Sequence, residues 1–290
     1  MRFEDILSRY GVPYQTEGRY CRPGWLQFDC PFCDGGKDPN KPYCGFNLAG
    51  NYVHCWRCGA HNLTKTVSLV CRVDWPTALA LTGDIERTRI NPDDIKPQGK
   101  LIMPKGVGPL LSCHKRYLRK RRFDPDELKA TWKIRGIGLA SKLAWSIFIP
   151  IHYHGEVVSW TTRTLCDDGI RYISAGLVEE SIPHKTLLFG EDFATTTTII
   201  CEGPFDVFAI GPGAVATLGT STTPAQLLRM SRYPRRILCF DSEPAAQKRA
   251  SVLCNQLAVF PGETFNLTLT ADDPGSAKPR ELRAIRKLLK

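Results

Sequence analysis

Apolar and polar positions in the last third of the chain form short β-like runs that alternate with helix-like stretches. The β-like runs cover residues 195–201, 235–240 and 264–272. The helix-like stretches cover residues 205–210, 224–230, 244–257 and 279–289. Strands that alternate with helices predict an α/β fold, with a parallel sheet joined by right-handed crossovers and helices on both faces.

An acidic residue follows each of these predicted strands. The acids are Glu202 after the first run, Asp241 and Glu243 after the second, and Asp273 after the third. The carboxyl ends of neighbouring parallel strands meet at one crevice, so we expect these side chains to converge. Converging carboxylates repel one another unless cations lie between them, and their hard oxygen atoms suit Mg²⁺ or Mn²⁺. The pattern predicts a divalent-metal site.

Four of the twelve cysteines stand in two CxxC pairs, CPFC and CWRC. Cys30 and Cys33 form the first pair, and Cys55 and Cys58 form the second. Two β-like runs around a turn separate the pairs, which predicts a zinc ribbon whose metal replaces a large hydrophobic core. Redox dithiols or buried structural thiols are the alternative. Cys21, Cys44, His54 and His61 are spare ligands nearby, and Cys44 is the favoured substitute among them.

Charge and length limit the class of protein further. The 290-residue chain carries a formal net charge of +10, which favours a polyanionic partner. Much of the excess is local, with eleven Lys or Arg against three acids in residues 100–135 and six against one in residues 278–290. A solvated basic surface is the alternative. No apolar run is long enough to cross a bilayer, so we expect no membrane association.

The composition predicts four segments. Residues 1–70 carry the zinc ribbon, residues 71–104 form a polar linker, residues 105–190 form a basic α/β part, and residues 191–290 carry the acidic sheet.

These motifs, in this order, resemble those of the bacterial and phage primases that join a zinc ribbon to a TOPRIM catalytic core. The ribbon is CPFC with HCWRCG, and the middle part carries WSIFIPIHYHGEVVSWTTRTL, RYISAG and HKTLLFG. IICEGPFDVFAI resembles the TOPRIM glutamate motif, CFDSEPAAQKRA the DxD motif, and LTADDPGS the late acidic motif. The resemblance implies a TOPRIM-type parallel sheet, preceded by a basic α/β subdomain and an N-terminal β-rich zinc ribbon.

The resemblance also implies an activity and a metal centre. A primase makes short RNA primers on single-stranded DNA by nucleotidyl transfer, with two divalent cations, Mg²⁺ or Mn²⁺, beside one structural zinc. Asp241, Glu243 and Asp273 match the metal ligands. Glu202 matches a glutamate that acts as metal ligand or general base, and Asp206, one helical turn later, matches a supporting acid. Glu243 stands where the family usually has the second Asp of the DxD motif, so its carboxylate must bind the same ion from a side chain that is one methylene longer.

Several basic residues and one aromatic residue are candidates for binding nucleic acid or nucleotide. One guanidinium group can donate two parallel hydrogen bonds to phosphate oxygens, and aromatic rings stack on bases. An ordinary solvated surface is the alternative for each of them, and packing against the zinc core is the favoured alternative for Trp56. The candidates are Arg57 and Trp56 in the ribbon; Lys115, Arg116, Arg119, Lys120, Arg121 and Arg122 in a predicted basic helix at 114–122; and Arg163, Arg171, Lys185 and Lys248.

The partners implied by the resemblance are a single-stranded DNA template and ribonucleoside triphosphates. The chain carries no GxxxxGK[ST] loop, so we expect a helicase partner on another polypeptide. The expected location is the cytoplasm of a bacterial cell or of a phage-infected host.

Two other classes of function stay open at this point. A TOPRIM nuclease or topoisomerase-like enzyme would use similar acids to cut strands. A zinc-ribbon adaptor would bind single strands without catalysis.

Overall fold

A computed structural model describes residues 2–33, 41–48, 51–87, 97, 99–139, 141–166 and 171–289. The chain divides into two compact units. We call residues 1–94 with 251–261 the ribbon unit, and residues 95–250 with 262–290 the core unit. Much of the predicted linker lies outside the described residues, and the segment boundaries predicted at residues 70, 104 and 190 stay predictions.

The ribbon unit contains a four-stranded antiparallel sheet with helices before and after it. Its elements are α1 (Phe3–Arg9), β1 (Trp25–Phe28), β2 (Cys44–Asn47), β3 (Tyr52–Cys55), β4 (Gly59–His61), α2 (Leu63–Val70) and α3 (Trp75–Arg87), and the strand order is β1-β2-β3-β4. Phe3 of α1 stacks on Phe46 of β2 with ring centroids 4.2 Å apart, which joins the first helix to the sheet. The small core therefore begins with the apolar residues of the N-terminal segment.

The first part of the core unit is a five-stranded antiparallel sheet with two helices. Its elements are β5 (Val107–Gly108), α4 (Ser112–Lys120), α5 (Pro125–Trp132), β6 (Arg135–Ile137), β7 (Ser146–Tyr153), β8 (Glu156–Thr164) and β9 (Tyr172–Ser174), in the order β5-β6-β7-β8-β9. His154 and Gly155 connect β7 to β8 with φ of 52° and 81°, the backbone of a tight two-residue hairpin turn. The predicted basic helix is present as α4, but it ends at Lys120, so Arg121 and Arg122 lie beyond it.

The second part of the core unit is a four-stranded sheet whose strands are all parallel. Its elements are β10 (Thr197–Cys201), α6 (Pro204–Ile210), β11 (Ala214–Ala216), α7 (Pro224–Ser231), β12 (Arg235–Leu238), α8 (Pro244–Leu257), β13 (Glu263–Asn266) and α9 (Pro279–Lys287). The part of α8 from Ser251 onward belongs to the ribbon unit. The strand order is β11-β10-β12-β13, with β10 in the middle. The predicted parallel α/β sheet is confirmed.

The sheet differs from the prediction in two places. The strand β11 was not predicted, because it has only three residues and no acidic residue follows it. The strand before Asp273 was predicted to run through residue 272, and this is wrong because β13 ends at Asn266. In the segment that follows β13, Thr270 donates its backbone N–H to Glu281 at 2.7 Å, and the backbone N–H of Ser242 donates to the carbonyl of Asp272 at 2.7 Å.

An apolar core holds the end of β10 in place. Ile199 and Cys201 of β10, with Phe205 and Phe208 of α6, are buried in one cluster that also includes Ile237 of β12. Cys201 precedes Glu202 directly, so the packing of the strand fixes the position from which that carboxylate leaves the sheet.

No helix among the described residues is both long enough and apolar enough to span a bilayer.

Candidate functional site

Four of the five predicted catalytic acids line one cavity of about 350 Å³ in the core unit. Glu202 follows β10, Asp206 lies in the first turn of α6, Asp241 follows β12, and Asp273 precedes α9. The ends of two parallel strands and two helix-proximal turns thus bring together side chains that are far apart in sequence. Glu243 does not line this cavity, and its side chain is 62% exposed.

Burial and mutual repulsion disfavour the charged forms of two acids in the cavity. Burial, followed by the nearby carboxylates of Asp241, Asp273 and Glu202, raises the pKa of Asp206 to about 8. Burial, followed by Glu202, Asp273 and Glu243, raises the pKa of Asp241 to about 6. A group of oxygen ligands whose negative charges disfavour one another fits a divalent cation.

The carboxylates line one cavity, but their oxygen atoms are too far apart to coordinate one metal ion together. Among the described residues, no three of these acids place oxygens mutually within 4.8 Å, whereas the four cysteines of the ribbon meet that limit. One carboxylate oxygen of Asp206 already accepts a hydrogen bond, from the N–H of Gly203 at 3.0 Å, at the N-terminus of α6. Binding a cation at the acids therefore requires their side chains to rotate toward it.

Three arginines border the same cavity. Arg163 is 5% exposed and donates a hydrogen bond from Nε to the Tyr117 hydroxyl at 3.1 Å, with its guanidinium 5.0 Å from the centroid of the Tyr172 ring. Arg171 is exposed, and Arg121 lies 5.4 Å from the Tyr117 ring centroid. All three arginines line the acid cavity, so it combines carboxylates with guanidinium groups suited to phosphate.

Lys185 lies elsewhere. Its Nζ donates to the backbone carbonyls of Thr217, Leu218 and Ser221 at 3.1, 3.2 and 3.0 Å. Burial lowers the pKa of this ammonium group. Leu218 and the next two residues, Gly219 and Thr220, line the acid cavity. Lys185 therefore holds one wall of the cavity and is not itself part of the lining.

The remaining basic candidates of the core unit do not line the acid cavity. Lys115 pairs with Asp126 at 3.4 Å. Arg122 has φ of +64° and, together with Arg121, borders a second cavity of about 730 Å³. The others are exposed, namely Arg116, Arg119, Lys120 and Lys248.

The four cysteines of the two CxxC pairs form a compact cluster in the ribbon unit. Their sulfur atoms are 3.5 Å apart for Cys30 and Cys58, and 3.9 Å apart for Cys33 and Cys55. A tetrahedral site with zinc–sulfur bonds of about 2.3 Å requires sulfur–sulfur distances of about 3.8 Å. The cluster therefore fits Zn²⁺, and Cys44 is outside it.

Backbone and side-chain donors surround these thiols. The N–H groups of Phe32 and Arg57 point at the sulfurs of Cys30 and Cys55 at 3.5 and 3.4 Å, and Nε2 of His61 is 3.1 Å from the sulfur of Cys58. Hydrogen bonds to the sulfurs stabilise thiolates and orient the ligands.

Trp56 and Arg57 follow the third ligand and line a hollow of about 430 Å³ in the ribbon unit. Trp56 also packs edge-on against Trp25, with ring centroids 5.2 Å apart, and the guanidinium of Arg22 lies 5.0 Å from the centroid of the Trp56 ring. Trp56 therefore has a packing role, and binding of a template base stays a proposal.

The sequence reasoning did not single out Arg249 of α8. Its Nη2 donates to both carboxylate oxygens of Glu202 at 3.0 and 3.1 Å. Its position could have indicated a role near the acids, because it lies six residues after Glu243 on the predicted helix that follows the acidic motif. Tyr172 was also missed, although it directly follows Arg171 and its ring contacts Arg163.

Comparisons with known proteins agree with this architecture. Residues 199–273 match the Toprim-like family. A curated DNA primase from Pseudomonas putida is 32% identical over 108 residues, a match that spans 33% of this chain and 16% of the relative. The zinc-binding and RNA polymerase domains of the Aquifex aeolicus primase superpose with a TM-score of 0.52 at 17% identity, covering 100% of this chain and 82% of that one.

The chain shares the fold of the DnaG-type primases. A DnaG primase catalytic domain, solved bound to single-stranded DNA, gives a TM-score of 0.54 at 20% identity over 62% of this chain and 71% of that domain. The resemblance seen in the sequence motifs is thereby confirmed, as is the predicted TOPRIM-type architecture with its ribbon. The cysteine cluster indicates a zinc site, and the Toprim-like segment indicates a divalent-metal site.

Proposed function

We propose that this chain is a DNA primase that synthesises short RNA primers on single-stranded DNA. One observation carries the proposal: Glu202, Asp206, Asp241 and Asp273, all within the segment that matches the Toprim-like family, line one cavity with arginines from the preceding part of the core unit. The acids suit divalent cations, and the arginines suit the phosphates of nucleotide and template.

Each group in the cavity has a separate task in the proposed reaction. Asp241 and Asp273, joined by Glu243 after a side-chain rotation, hold two divalent cations, Mg²⁺ or Mn²⁺. Such cations lower the pKa of an attacking 3′-hydroxyl and neutralise the leaving pyrophosphate. Glu202 is either a further ligand or the base that accepts the hydroxyl proton, and Asp206 supports the centre from the start of α6.

The cations of the core unit bind the polyanions. Arg163, Arg171 and Arg121 line the acid cavity, and their guanidinium groups suit the phosphate groups of a triphosphate or of the template. The exposed cations of α4 continue this basic surface and supply non-specific attraction for the strand.

The ribbon unit has the proposed task of selecting the template. One structural Zn²⁺ at the four cysteines keeps Trp56 and Arg57 beside the basic hollow, where an aromatic ring and a guanidinium suit single-stranded bases. A separate helicase is the proposed protein partner, and a cytoplasmic location follows from this role.

A primer-synthesis assay tests the proposal. Full-length protein receives labelled ribonucleoside triphosphates, single-stranded templates of randomised sequence and Mg²⁺. We expect short RNA products from wild type and none from Asp241→Asn or Glu202→Gln. Both variants should retain single-strand binding, because the exposed basic residues are unchanged.

The same assay separates the other classes of function. Cleavage of the template without RNA synthesis would favour a TOPRIM nuclease, and binding with neither reaction would favour an adaptor. Either result with wild-type protein would overturn the proposal, as would full primer synthesis by both acid variants.

A further inference from the structure

Arg249 is a cation that contacts the acids of the site, and the proposed reaction does not use it. It lies in the second turn of α8, and long helical side chains lean toward the helix N-terminus. That direction leads back to the acids that follow β10 and β12. Its side chain is 30% exposed, while that of its main partner Glu202 is 13% exposed.

The contact with Glu202 is close and occupies both of its oxygens. A single nitrogen, Nη2 of Arg249, is 3.0 Å from Oε1 and 3.1 Å from Oε2 of Glu202. The same nitrogen is 3.6 Å from Oε1 of Glu243. Arg249 therefore contacts two of the acids assigned to the metal centre.

The guanidinium is incompletely satisfied in this position. Among the described residues, Nε of Arg249 is buried and has no hydrogen-bond partner. A static structural ion pair would normally satisfy a buried donor of this kind, since an unpaired one is costly. The attraction of Glu202 and Glu243 therefore holds the Arg249 side chain, while its Nε donor makes no hydrogen bond.

We propose that Arg249 is an internal counter-ion that competes with divalent cations for Glu202 and so sets the cation concentration at which the site fills. The inference rests on the proposed metal centre. A divalent ion bound beside Glu202 would lie within a few ångströms of the guanidinium, and like charges at such distances repel. Metal binding therefore requires Arg249 to withdraw from Glu202 toward solvent, and the intrinsic affinity for the ion is lowered by the lost ion pair.

Binding of Mn²⁺ to the full-length, zinc-loaded protein tests this inference without any reaction. Free Mn²⁺ is followed by electron paramagnetic resonance for wild type, Arg249→Met, Arg249→Lys and the control Arg283→Met. Arg283 is an exposed arginine of α9 outside the acid cavity, so its removal matches the change in net charge. We expect Arg249→Met to bind Mn²⁺ about five-fold more tightly, the size expected for losing one partly exposed ion pair, with Arg249→Lys intermediate and Arg283→Met unchanged.

A double-variant cycle shows whether the effect passes through Glu202. In a Glu202→Gln background the neutral amide no longer pairs with the guanidinium, so Arg249→Met should change Mn²⁺ affinity by less than two-fold. An equal gain in both backgrounds would overturn the competition, because it would reflect only the long-range loss of one charge. So would equal affinities for Arg249→Met and wild type.

Thermal unfolding gives a second readout that does not depend on resolving weak binding. In buffer freed of divalent ions, Arg249→Met should melt at a lower temperature than wild type, because the acids lose their counter-ion. Added Mn²⁺ should raise its melting temperature by more than it raises that of wild type. A larger Mn²⁺ response in wild type would overturn the inference.

These outcomes separate failure of the inference from failure of the proposed function. If wild type binds Mn²⁺ and Asp241→Asn does not, the metal centre stands whatever Arg249 does. If wild type binds no Mn²⁺ at all, the proposed metal centre fails and the inference fails with it. Unaltered primer synthesis together with unaltered Mn²⁺ affinity in Arg249→Met would remove the inference alone.

Discussion

Arg229 and Glu191 form an ion pair almost fully removed from solvent, with side chains 0% and 4% exposed. The pair joins α7 to the segment before β10. Arg229 also donates from Nε to the carbonyl of Thr186 at 2.6 Å, and Glu191 accepts from the N–H of Leu188 at 2.8 Å. Burial raises the pKa of Glu191, while the guanidinium of Arg229 acts in the opposite direction. The pair fixes the segment that also carries Lys185.

We predict that Arg229→Met destabilises the core unit by about 3–5 kcal/mol, because it leaves a buried carboxylate without its main partner. The unfolding free energy is read from hydrogen exchange in β7 and β10 of the full-length protein. A double variant, Arg229→Met with Glu191→Leu, should recover much of the loss, since neither charge remains buried. A loss below about 1 kcal/mol for the single variant would show that the pair behaves like a surface pair.

We expect Lys185 to stabilise the wall of the acid cavity that residues 217–221 form. Lys185→Met removes a charged donor from three carbonyls and should cost about 2 kcal/mol of stability in the core unit. Leu218 and Gly219 have φ of +57° and +127°, so this wall needs external support to keep its shape. Hydrogen exchange of residues 217–221 should accelerate strongly in the variant.

Lys248→Met is the matched control for that experiment, because Lys248 is exposed on α8 and does not line the acid cavity. It should leave both stability and exchange of the wall unchanged. Equal exchange of residues 217–221 in the two variants would contradict the supporting role of Lys185.

The sequence predicted those parts of the fold that depend on local pattern. Alternating strand and helix patterns gave the parallel sheet, and the spacing of the CxxC pairs gave the cysteine cluster. The end of β13 at Asn266 could not be predicted, because the alternating pattern of the sequence continues beyond it, whereas Thr270 donates to Glu281, eleven residues later. The strand β11 was missed because three residues give too little periodic signal.

The candidate site shows a similar division. Acids that directly follow strands were brought to one cavity, as adjacency in a parallel sheet requires. The sequence could not indicate how far each carboxylate lies from its neighbours, nor that Arg249 would reach Glu202 across 47 positions of the chain. Such contacts depend on how a helix packs beside a strand end, which is decided by the whole core. The supporting position of Lys185 was missed for the same reason.

Loss of one cysteine ligand should release zinc. Cys55→Ser removes one of four thiolates from a site that replaces a large core, so the ribbon unit should lose both its metal and its protection from hydrogen exchange. Exchange in β10 and β12 of the core unit should change little. Metal content measured by mass spectrometry checks the first expectation.

Cys44→Ala is the control for this substitution. Cys44 lies opposite Cys55 in the β2–β3 ladder, is fully buried, and is outside the ligand cluster. The control should therefore retain one zinc per chain. Zinc retained by Cys55→Ser and lost by Cys44→Ala would make Cys44 a zinc ligand in place of Cys55.

The last prediction concerns acid stability and rests on His114 of α4, which is fully buried. Its Nδ1 is 3.0 Å from the N–H of Leu111 and its Nε2 is 3.1 Å from the carbonyl of Ile137, so a neutral ring accepts at one nitrogen and donates at the other. Burial lowers the pKa of His114. The unfolded chain therefore binds a proton more readily than the folded one. The stability that the neutral, buried ring contributes is fully present above the ordinary histidine pKa of about 6.5 and is lost as the pH falls below it.

Hydrogen exchange of β6, measured above and below about pH 6.5, checks this prediction. On acidification, wild type should lose more stability than His114→Gln, whose amide keeps a donor and an acceptor but does not titrate. The other histidines are present in both proteins, so parallel pH profiles would remove His114 as the cause.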